Sequence, residues 1–412
     1  MKGNRWAILI ASVLINMCIG SAYAWSVFQK PLIALFKWTT SDANLAFTLS
    51  LSLVPVAMIV AGKIQDRKGP KFVILIGGLI FAIGIVAAGF TQSLAQLYWT
   101  YGVLGGLGIG TVYACTVANT VKWFPDRRGL ASGLIAAGFG SGAVVLAPVA
   151  ASLIQSQGVL STFNVLGVAY FIVLSIAALF VEMPPAGYKP AGWNPPSTTA
   201  SSTSIVTGVD KNWREMLTDP MFYVLWAMYT IGCISGLMIL GHASPIGQEM
   251  VKLTPQVAAV ALSFMAVANT AGRIFWGWVS DKIGRYQALM AMYFVAGMTM
   301  FLIGSVASFE TFVLALMAVG LCFGGFLGIF PSITADMFGA KNLGMNYGII
   351  FTAYGVAAFI GPRLASQIKE VNSGDYTRAF IIAASLSIFG IGLTLLASYR
   401  RKRYLVQSRA AA

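Results

Sequence analysis

The chain contains twelve apolar stretches, each long enough to cross a lipid bilayer, and most of the segments between them are very short. Hydrophobic residues make up 58% of the sequence and charged residues 10%. Soluble domains carry about 25% charged residues, and a helix needs about 20 apolar residues to cross a bilayer. We therefore predict an all-α membrane protein with twelve transmembrane helices. The predicted spans are 5–36, 43–62, 70–91, 95–121, 129–154, 159–181, 220–249, 255–280, 286–307, 309–337, 342–368 and 376–400.

One connection is long and differs in composition from the others. Residues 182–219 contain the Pro-, Ser- and Thr-rich sequence PPAGYKPAGWNPPSTTASSTS, which lacks apolar periodicity. Such a composition is typical of a flexible linker. We predict that it joins two six-helix bundles, 1–181 and 220–400. A basic tail, 401–412, follows the last span, and we expect the basic residues at this end to bind anionic lipid headgroups.

The distribution of basic residues predicts the orientation of the chain. Both termini, the linker and the other loops on the same side of the predicted spans hold 20 of the 27 Lys and Arg residues. Cytoplasmic loops of membrane proteins carry this excess of basic residues. We therefore expect both termini in the cytoplasm of a multi-pass cell membrane protein, with a prokaryotic plasma or inner membrane as the expected location.

A short loop sequence occurs once in each half of the chain. GKIQDRKG, residues 62–69, follows the second span, and GWVSDKIG, residues 277–284, follows the eighth. Both have the pattern Gly-x-x-x-Asp-basic-x-Gly. Two sets of six spans with a repeated loop are typical of a transporter with pseudo-symmetric halves.

Arg273 is the one charged residue that we place well within a span, and no Asp or Glu lies at comparable depth. A charge at this depth is costly, so it usually faces a protein-lined cavity and has a function. A substrate anion is the simplest partner, and the planar guanidinium can hold a carboxylate through two hydrogen bonds. Asn269, one helical turn earlier, can orient the guanidinium or contact the substrate, or it can simply pack. The alternative for Arg273 is a structural residue that binds helix-end carbonyls or reaches the membrane surface.

His242 is the only histidine in the chain, and it lies where Gly241 and Pro245 are expected to interrupt the seventh span. Interrupted helices often line transport sites. Because imidazole titrates near neutral pH, His242 is a candidate both for substrate binding and for proton coupling. The alternative is a neutral histidine bonded to the backbone or to a tyrosine.

Several classes of function do not fit the sequence. The net charge of +14 comes from short loops between apolar spans, so we expect no binding to nucleic acid. A single histidine and four widely spaced apolar-segment cysteines predict no metal site, no disulfide and no cofactor. No nucleophile–base pair is evident among the spans, so an enzyme is not expected. An anion sensor that does not transport is a remote alternative.

The two loops at 62–69 and 277–284 resemble the signature of the major facilitator superfamily. This resemblance implies a fold of two six-helix bundles. It also implies that Asp66, Arg67, Asp281 and Lys282 hold helix ends together in one conformation and are gating residues rather than substrate ligands.

A narrower resemblance is carried by VKWFPDRRGLASG at 121–133, AGFGSG at 137–142, GRIFWG at 272–277 and FPS at 330–332. These segments resemble the oxalate/formate antiporter family and the related monocarboxylate transporters. In those families the arginine that matches Arg273 pairs with the substrate carboxylate. The resemblance therefore agrees with the interpretation that comes from the buried charge.

The departures from these families concern substrate charge. Oxalate transporters carry a lysine in the eleventh span where this chain has Tyr354, and animal monocarboxylate transporters carry a lysine in the first span where this chain has Val27. One cation suits a monoanion. The family's aromatic substrate box implies binding roles for Tyr23, Tyr113, Phe323 and Phe351, while Leu327 replaces an expected tyrosine.

These observations predict a secondary active transporter of small monocarboxylates of the L-lactate and pyruvate class. We expect proton-coupled symport by alternating access, with His242 and Arg273 involved in proton coupling. The expected partners are the monocarboxylate anion, the proton and membrane lipids, and the expected state is a monomer. The alternative within the class is an anion exchanger of the oxalate:formate type.

Overall fold

The computed structural model describes residues 4–185, 187–193, 210–371 and 375–410. Every long element in these ranges is a helix, and twelve helical stretches are long and apolar enough to cross a membrane. The prediction of an all-α protein with twelve spans is confirmed. The predicted tail side chains at 401–410, residues 411–412, and residues 186 and 194–209 of the predicted linker lie outside the described residues.

The helices follow the predicted spans closely. The first half contains α1 and α2 (Arg5–Gly20, Trp25–Phe36), α3 (Thr40–Lys68), α4 (Pro70–Ala88), α5 and α6 (Leu94–Leu97, Gly105–Trp123), α7 (Arg128–Gln157) and α8 (Val159–Ala178). A short helix, α9 (Trp213–Thr218), precedes the second half. The second half contains α10 (Pro220–Glu249), α11 (Pro255–Ile283), α12 (Arg285–Leu302), α13 (Phe309–Phe338), α14 (Leu343–Val371) and α15 (Thr377–Ala410).

The two repeated loops end their helices in the same way. Gly69 ends α3 with a φ of 86°, and Gly284 ends α11 with a φ of 96°. This left-handed region is disfavoured for residues with a Cβ atom, so glycine is the residue that allows the chain to turn there. The same backbone conformation therefore explains why each Gly-x-x-x-Asp-basic-x-Gly loop ends in glycine.

Two spans of the first half depart locally from α-helical geometry. A 3₁₀ segment, Ser21–Ala24, separates α1 from α2 and carries Tyr23. A π-helical segment, Tyr98–Leu104, separates α5 from α6. Such segments change the hydrogen-bonding pattern of the backbone and are frequent at functional sites.

The described residues form two compact units. The first holds residues up to 193, residues 210–213 and Thr334–Phe351, and the second holds residues 214–333 and those from Thr352 onward. The boundary between the units therefore falls inside α13 and α14. The predicted bundle limits, 1–181 and 220–400, remain a prediction, as does the linker limit of 182–219.

Each unit has an apolar core in which buried side chains from several helices pack together. In the second unit, Met238, Met265, Phe312, Tyr376 and Phe380 belong to one buried cluster shared by α10, α11, α13 and α15. Helix association in lipid depends on packing rather than on the exclusion of water, so such closely fitted side chains and small residues stabilise the bundle.

Candidate functional site

Arg273 is buried in the second unit, with 3% of its surface exposed. It lies within α11, eighteen residues after Pro255 and ten before Ile283. Its Nε and Nη2 atoms both donate to Oδ1 of Asn269, at 3.1 and 2.9 Å. The spacing of four residues along one helix places the two side chains on the same face. The structure thus brings this predicted pair together.

The Asn269 contact fixes the orientation of the guanidinium without cancelling its charge. A carboxamide oxygen accepts hydrogen bonds but is neutral, whereas an aspartate here would form an ion pair. The contact with Asn269 therefore does not offset the positive charge of the guanidinium, a group that is well suited to bind anions.

Glycines bring α13 against α11 next to this pair. A Cβ atom on Gly324 would lie 1.9 Å from the backbone oxygen of Asn269, and one on Gly328 would lie 2.7 Å from that of Arg273. Only glycine fits at such distances. The backbone around Asn269 and Arg273 is therefore held directly by α13, which positions the guanidinium on rigid elements.

The second unit also contains Phe323 and Tyr354, two further predicted site residues. Phe323 lies on α13 directly before Gly324, is buried, and packs its ring over Gly236 of α10. Tyr354 lies on α14 and is buried. Just before it, Thr352 accepts a hydrogen bond from Nε1 of Trp226 at 2.9 Å, which joins α14 to α10.

His242 lies in a continuous helix, which corrects the prediction of an interrupted span. Helix α10 runs from Pro220 to Glu249 through both Gly241 and Pro245. Proline has a φ that is compatible with a helix, so Pro245 removes one backbone hydrogen bond without ending α10. The expectation that Gly241 and Pro245 interrupt the seventh span was therefore wrong, although the position of His242 on that span stands.

The imidazole of His242 has two hydrogen-bond partners. Nδ1 lies 3.2 Å from the backbone oxygen of Met238, and Nε2 lies 2.9 Å from Oγ of Ser366 on α14. The Ser366 hydroxyl is also 3.2 Å from the backbone oxygen of Pro362. When both ring nitrogens carry protons, Nε2 donates to Ser366, which donates onward to Pro362. When Nε2 is unprotonated, the same hydroxyl can rotate and donate to it, so this environment accommodates both states.

In the first unit, the predicted residues Tyr23, Tyr113 and Phe351 belong to one aromatic group. The rings of Tyr23 and Tyr113 lie 5.1 and 5.3 Å from the ring of Phe139. The ring of Phe351 lies 6.0 Å from that of Tyr113 and 5.7 Å from that of Tyr347. These separations are typical of favourable aromatic pairs.

Two members of this group, Phe139 and Tyr347, were not among the predicted site residues. Phe139 lies in the AGFGSG segment on α7, which was noted only for its family resemblance. Nothing in the local sequence indicates that a phenylalanine of α7 contacts tyrosines of the first and fourth spans. Such contacts depend on the packing of distant helices.

The predicted gating residue Asp66 forms a network in the first unit, which we call the latch. The latch consists of Asp66, Lys122 and the N–H groups of Gly344 and Met345. Lys122 Nζ lies 2.8 Å from the Asp66 carboxylate, and the two N–H groups donate to that carboxylate at 3.3 and 3.2 Å. These N–H groups begin α14 and have no partner within the helix, so a carboxylate is favourable there. The neighbouring Arg67 is exposed.

The second copy of the loop makes different contacts. Asp281 pairs with Arg285 at 2.7 Å, and Nζ of Lys282 lies 3.9 Å from the ring centroid of Trp278. The Asp281–Arg285 pair joins the end of α11 to the start of α12, whereas the Lys282–Trp278 contact lies within α11. The two copies of one sequence pattern therefore have different neighbours, and the predicted gating role of all four residues remains a prediction.

An additional, partly buried ion pair in the first unit was not predicted from the sequence. Arg128, at the start of α7, lies 2.7 Å from Asp336 near the end of α13. The two residues are 208 positions apart along the chain. Arg128 lies within the VKWFPDRRGLASG segment, but the sequence alone does not indicate its partner.

The described residues contain no group of three or more His, Cys, Asp or Glu side chains arranged to hold a metal ion. The four cysteines are buried and unbonded to one another. Arg273, His242 and the aromatic side chains are thus the chemically distinctive groups among the predicted site residues.

Comparison with known proteins places this arrangement among membrane transporters. The family model of the Major Facilitator Superfamily matches residues 6–250 and 241–411. The oxalate:formate antiporter of Oxalobacter formigenes is 31% identical over 397 residues, which cover 95% of this chain and 91% of that protein. Monocarboxylate transporter 12 of Xenopus laevis is 25% identical, covering 94% of this chain and 87% of that protein.

A solved structure supports the fold. The crystal structure of FucP, a major facilitator superfamily transporter in the outward conformation, matches with a TM-score of 0.69 and 16% identity. The match covers 95% of this chain and 98% of that one. At this level of identity the likeness concerns the fold alone.

Proposed function

The chain belongs to the major facilitator superfamily, and we propose that it is a proton-coupled transporter of small monocarboxylates of the L-lactate and pyruvate class. The family assignment makes it a multi-pass membrane transporter. The substrate, the coupling to protons and the cytoplasmic position of both termini are parts of the proposal. The buried Arg273, oriented by the neutral side chain of Asn269, is the observation that carries it.

Arg273 is proposed to bind the substrate carboxylate. Its guanidinium can form two parallel hydrogen bonds with a carboxylate, which gives both charge neutralisation and a fixed orientation. A buried cation without an anion is unfavourable, so the empty carrier resists closing around it. Binding of the anion removes that cost and allows the transporter to change conformation. This is the physical basis that we propose for alternating access.

The residue types at the predicted site positions favour a monoanion. The matching position for the second lysine of the oxalate transporters holds Tyr354, which carries no charge at neutral pH. Phe323 and Leu327, both buried on α13, offer apolar surface that suits a methyl or short alkyl group. A second carboxylate lacks a matching cation among these positions.

His242 is proposed to carry the coupled proton. Asn269 cannot ionise, and His242 is the one histidine of the chain. The contacts of its ring with Met238 and Ser366 accommodate both protonation states. Symport of one monocarboxylate with one proton is electrically neutral, which fits a site with a single anion-binding arginine.

The proposal is tested by uptake of labelled L-lactate into proteoliposomes, measured in empty and in formate-loaded vesicles, with and without an inward proton gradient. We expect accumulation in empty vesicles when the gradient is imposed. Uptake that does not depend on the proton gradient and requires an anion inside the vesicles would overturn the proposal of proton symport. A failure of lactate, pyruvate and formate to be taken up at all would overturn the substrate assignment.

An anion exchanger of the oxalate:formate type is the second candidate. It is favoured by the 31% identity to the Oxalobacter formigenes antiporter over 95% of this chain. Oxalate uptake restricted to formate-loaded vesicles would support this candidate. Tyr354 argues against it, since a dianion bound beside one cation leaves a negative charge uncompensated.

A further inference from the structure

The end of the central linker is bound to the loop between α13 and α14. Lys211 donates from its backbone N–H to the backbone oxygen of Phe338 at 2.9 Å. Its own backbone oxygen accepts from the side-chain amides of Asn342 and Asn346, at 3.1 and 3.0 Å. Three hydrogen bonds thus fix one linker residue to both sides of this loop, although composition predicted flexibility for the whole linker.

Asp210 adds a contact at the centre of the same loop. Its carboxylate accepts from the backbone N–H of Lys341 at 3.1 Å. It also lies against Gly339, where a Cβ atom would come within 2.2 Å of the Asp210 Oδ1 atom. Gly339 has a φ of 85°, so the backbone conformation and the close approach both require glycine at this position.

Lys341 joins this contact to the latch. Its N–H group binds Asp210, and its backbone oxygen accepts from Nζ of Lys122 at 3.1 Å. Lys122 in turn pairs with Asp66, which accepts from the N–H groups that begin α14. A continuous set of hydrogen bonds therefore runs from the linker through one loop residue to the latch.

We propose that residues 210–213 act as a strap that holds the α13–α14 loop and thereby stabilises the latch. Because Lys341 binds both Asp210 and Lys122, loss of its bond to the strap leaves the residue that Lys122 contacts less firmly held. The strap and the latch therefore stabilise each other, and release of the linker end favours opening of the latch. This coupling is independent of which substrate the protein carries.

Residue-resolved hydrogen exchange of the full-length protein in lipid nanodiscs tests the strap. In Asp210→Ala, the Lys341 amide loses its acceptor, and we expect it to exchange about fivefold faster, as for the loss of one typical hydrogen bond. The coupling predicts that the amides of Gly344 and Met345 also exchange faster, although Asp210 touches neither. Reciprocally, Asp66→Asn accelerates exchange at Lys341, because coupling between two sites works in both directions.

Asp375→Ala is the matched control. Asp375 is also an exposed aspartate that accepts from a backbone N–H, that of Thr377 at 2.9 Å, but it lies in the second unit. Its loss should leave exchange at Lys341, Gly344 and Met345 unchanged. If Asp210→Ala accelerates Lys341 alone, or none of the three amides, the strap does not stabilise the latch.

Asn342→Ala provides an independent route if Asp210→Ala folds poorly. It removes one bond to the backbone oxygen of Lys211 and leaves the Asp210 carboxylate in place. The same acceleration at Gly344 and Met345 is expected, and unchanged exchange there contradicts the proposal. Asp210→Asn keeps an acceptor oxygen and should remain close to the parent protein. Because these experiments do not measure transport, their results do not depend on whether the proposed substrate is correct.

Discussion

The guanidinium of Arg273 donates two hydrogen bonds to a single oxygen, Oδ1 of Asn269, one turn earlier on the same helix. A helix alone provides this arrangement, because side chains four residues apart lie on one face. The contact between the two side chains therefore lies within α11, while α13 packs against the backbone of both residues. A guanidinium held in a fixed direction is suited to bind a carboxylate in a defined position, as we propose for Arg273.

Replacement of Arg273 by lysine tests whether shape matters as well as charge. Lysine keeps the positive charge but has a compact ammonium group that cannot present two parallel donors. We expect Arg273→Lys to reduce the rate of lactate uptake about 10- to 100-fold, because each hydrogen bond to a charged group contributes about 1.5–3 kcal/mol. Uptake is measured in proteoliposomes that contain equal amounts of protein.

The control for this substitution is Arg378→Lys, an exposed arginine at the start of α15. It makes the same chemical change away from the predicted site residues, and we expect uptake near that of the parent protein. Normal uptake by Arg273→Lys would show that a point charge is sufficient and would contradict the proposed two-point contact.

Replacement of Asn269 by aspartate tests the value of a neutral partner. The introduced carboxylate would form an ion pair with Arg273 and compete with the substrate anion. We expect Asn269→Asp to raise the KM for lactate about tenfold or more at neutral pH, a change of about 1.4 kcal/mol. Affinity should recover as the pH is lowered enough to protonate the new carboxyl group. A KM that is unchanged across this pH range contradicts the interpretation.

His242 and Ser366 are expected to affect coupling rather than exchange. His242→Gln removes the titratable group, so accumulation driven by a proton gradient should be lost while exchange of internal for external lactate persists. Ser366→Ala removes the hydroxyl that bonds Nε2, and we expect the pH profile of uptake to change. Ser366→Thr keeps a hydroxyl and should restore the parent profile. If His242→Gln still accumulates lactate at the parent level under a proton gradient, His242 is not the proton carrier.

Tyr354 is expected to set the preference for substrate charge. Tyr354→Lys adds a second cation, which a monoanion leaves unpaired and a dianion can neutralise. We expect lactate uptake to fall about tenfold or more, since an uncompensated buried charge costs more than about 1.4 kcal/mol. Binding of oxalate, measured by competition with labelled substrate, should increase. An absence of oxalate binding in Tyr354→Lys counts against this account of selectivity.

The fold could be predicted from the sequence because bilayer thickness limits the length of a span. The length of the apolar stretches predicts the twelve helices. The repeated loop pattern contains the two glycines, Gly69 and Gly284, at which the chain turns. The pairing of Arg273 with Asn269 was also accessible, since it follows from helical spacing alone. The continuity of α10 through Pro245 was not, because a proline in a membrane helix is tolerated when neighbouring groups satisfy the backbone atoms that it leaves unbonded, and those neighbours are distant in sequence.

Contacts between segments that lie far apart in the sequence could not be predicted. Phe139 meets Tyr23 and Tyr113 only because α7 packs against the first and fourth spans. The binding of Asp210 to Lys341 likewise joins residues 131 positions apart. Composition indicated a Pro-, Ser- and Thr-rich linker, but composition alone does not show which backbone groups such a segment can bind.

The close contact of α13 with α11 predicts that Gly324 cannot carry a side chain. In Gly324→Ala, the new methyl group would meet the backbone oxygen of Asn269, so the helices must separate. Overpacking of this kind typically costs about 1–3 kcal/mol. Because the displaced backbone carries Asn269 and Arg273, we expect a lower Tm and, in protein that remains folded, a rise in the KM for lactate.

Gly392→Ala is the matched control, because no atom lies within 4 Å of a Cβ placed at Gly392 on α15. Alanine favours helix over glycine by about 1 kcal/mol, so this variant should be at least as stable as the parent protein. The comparison separates the effect of the α11–α13 contact from that of a general glycine-to-alanine change. Equal Tm and KM values for the two variants would mean that the helices can separate at Gly324 without moving Arg273.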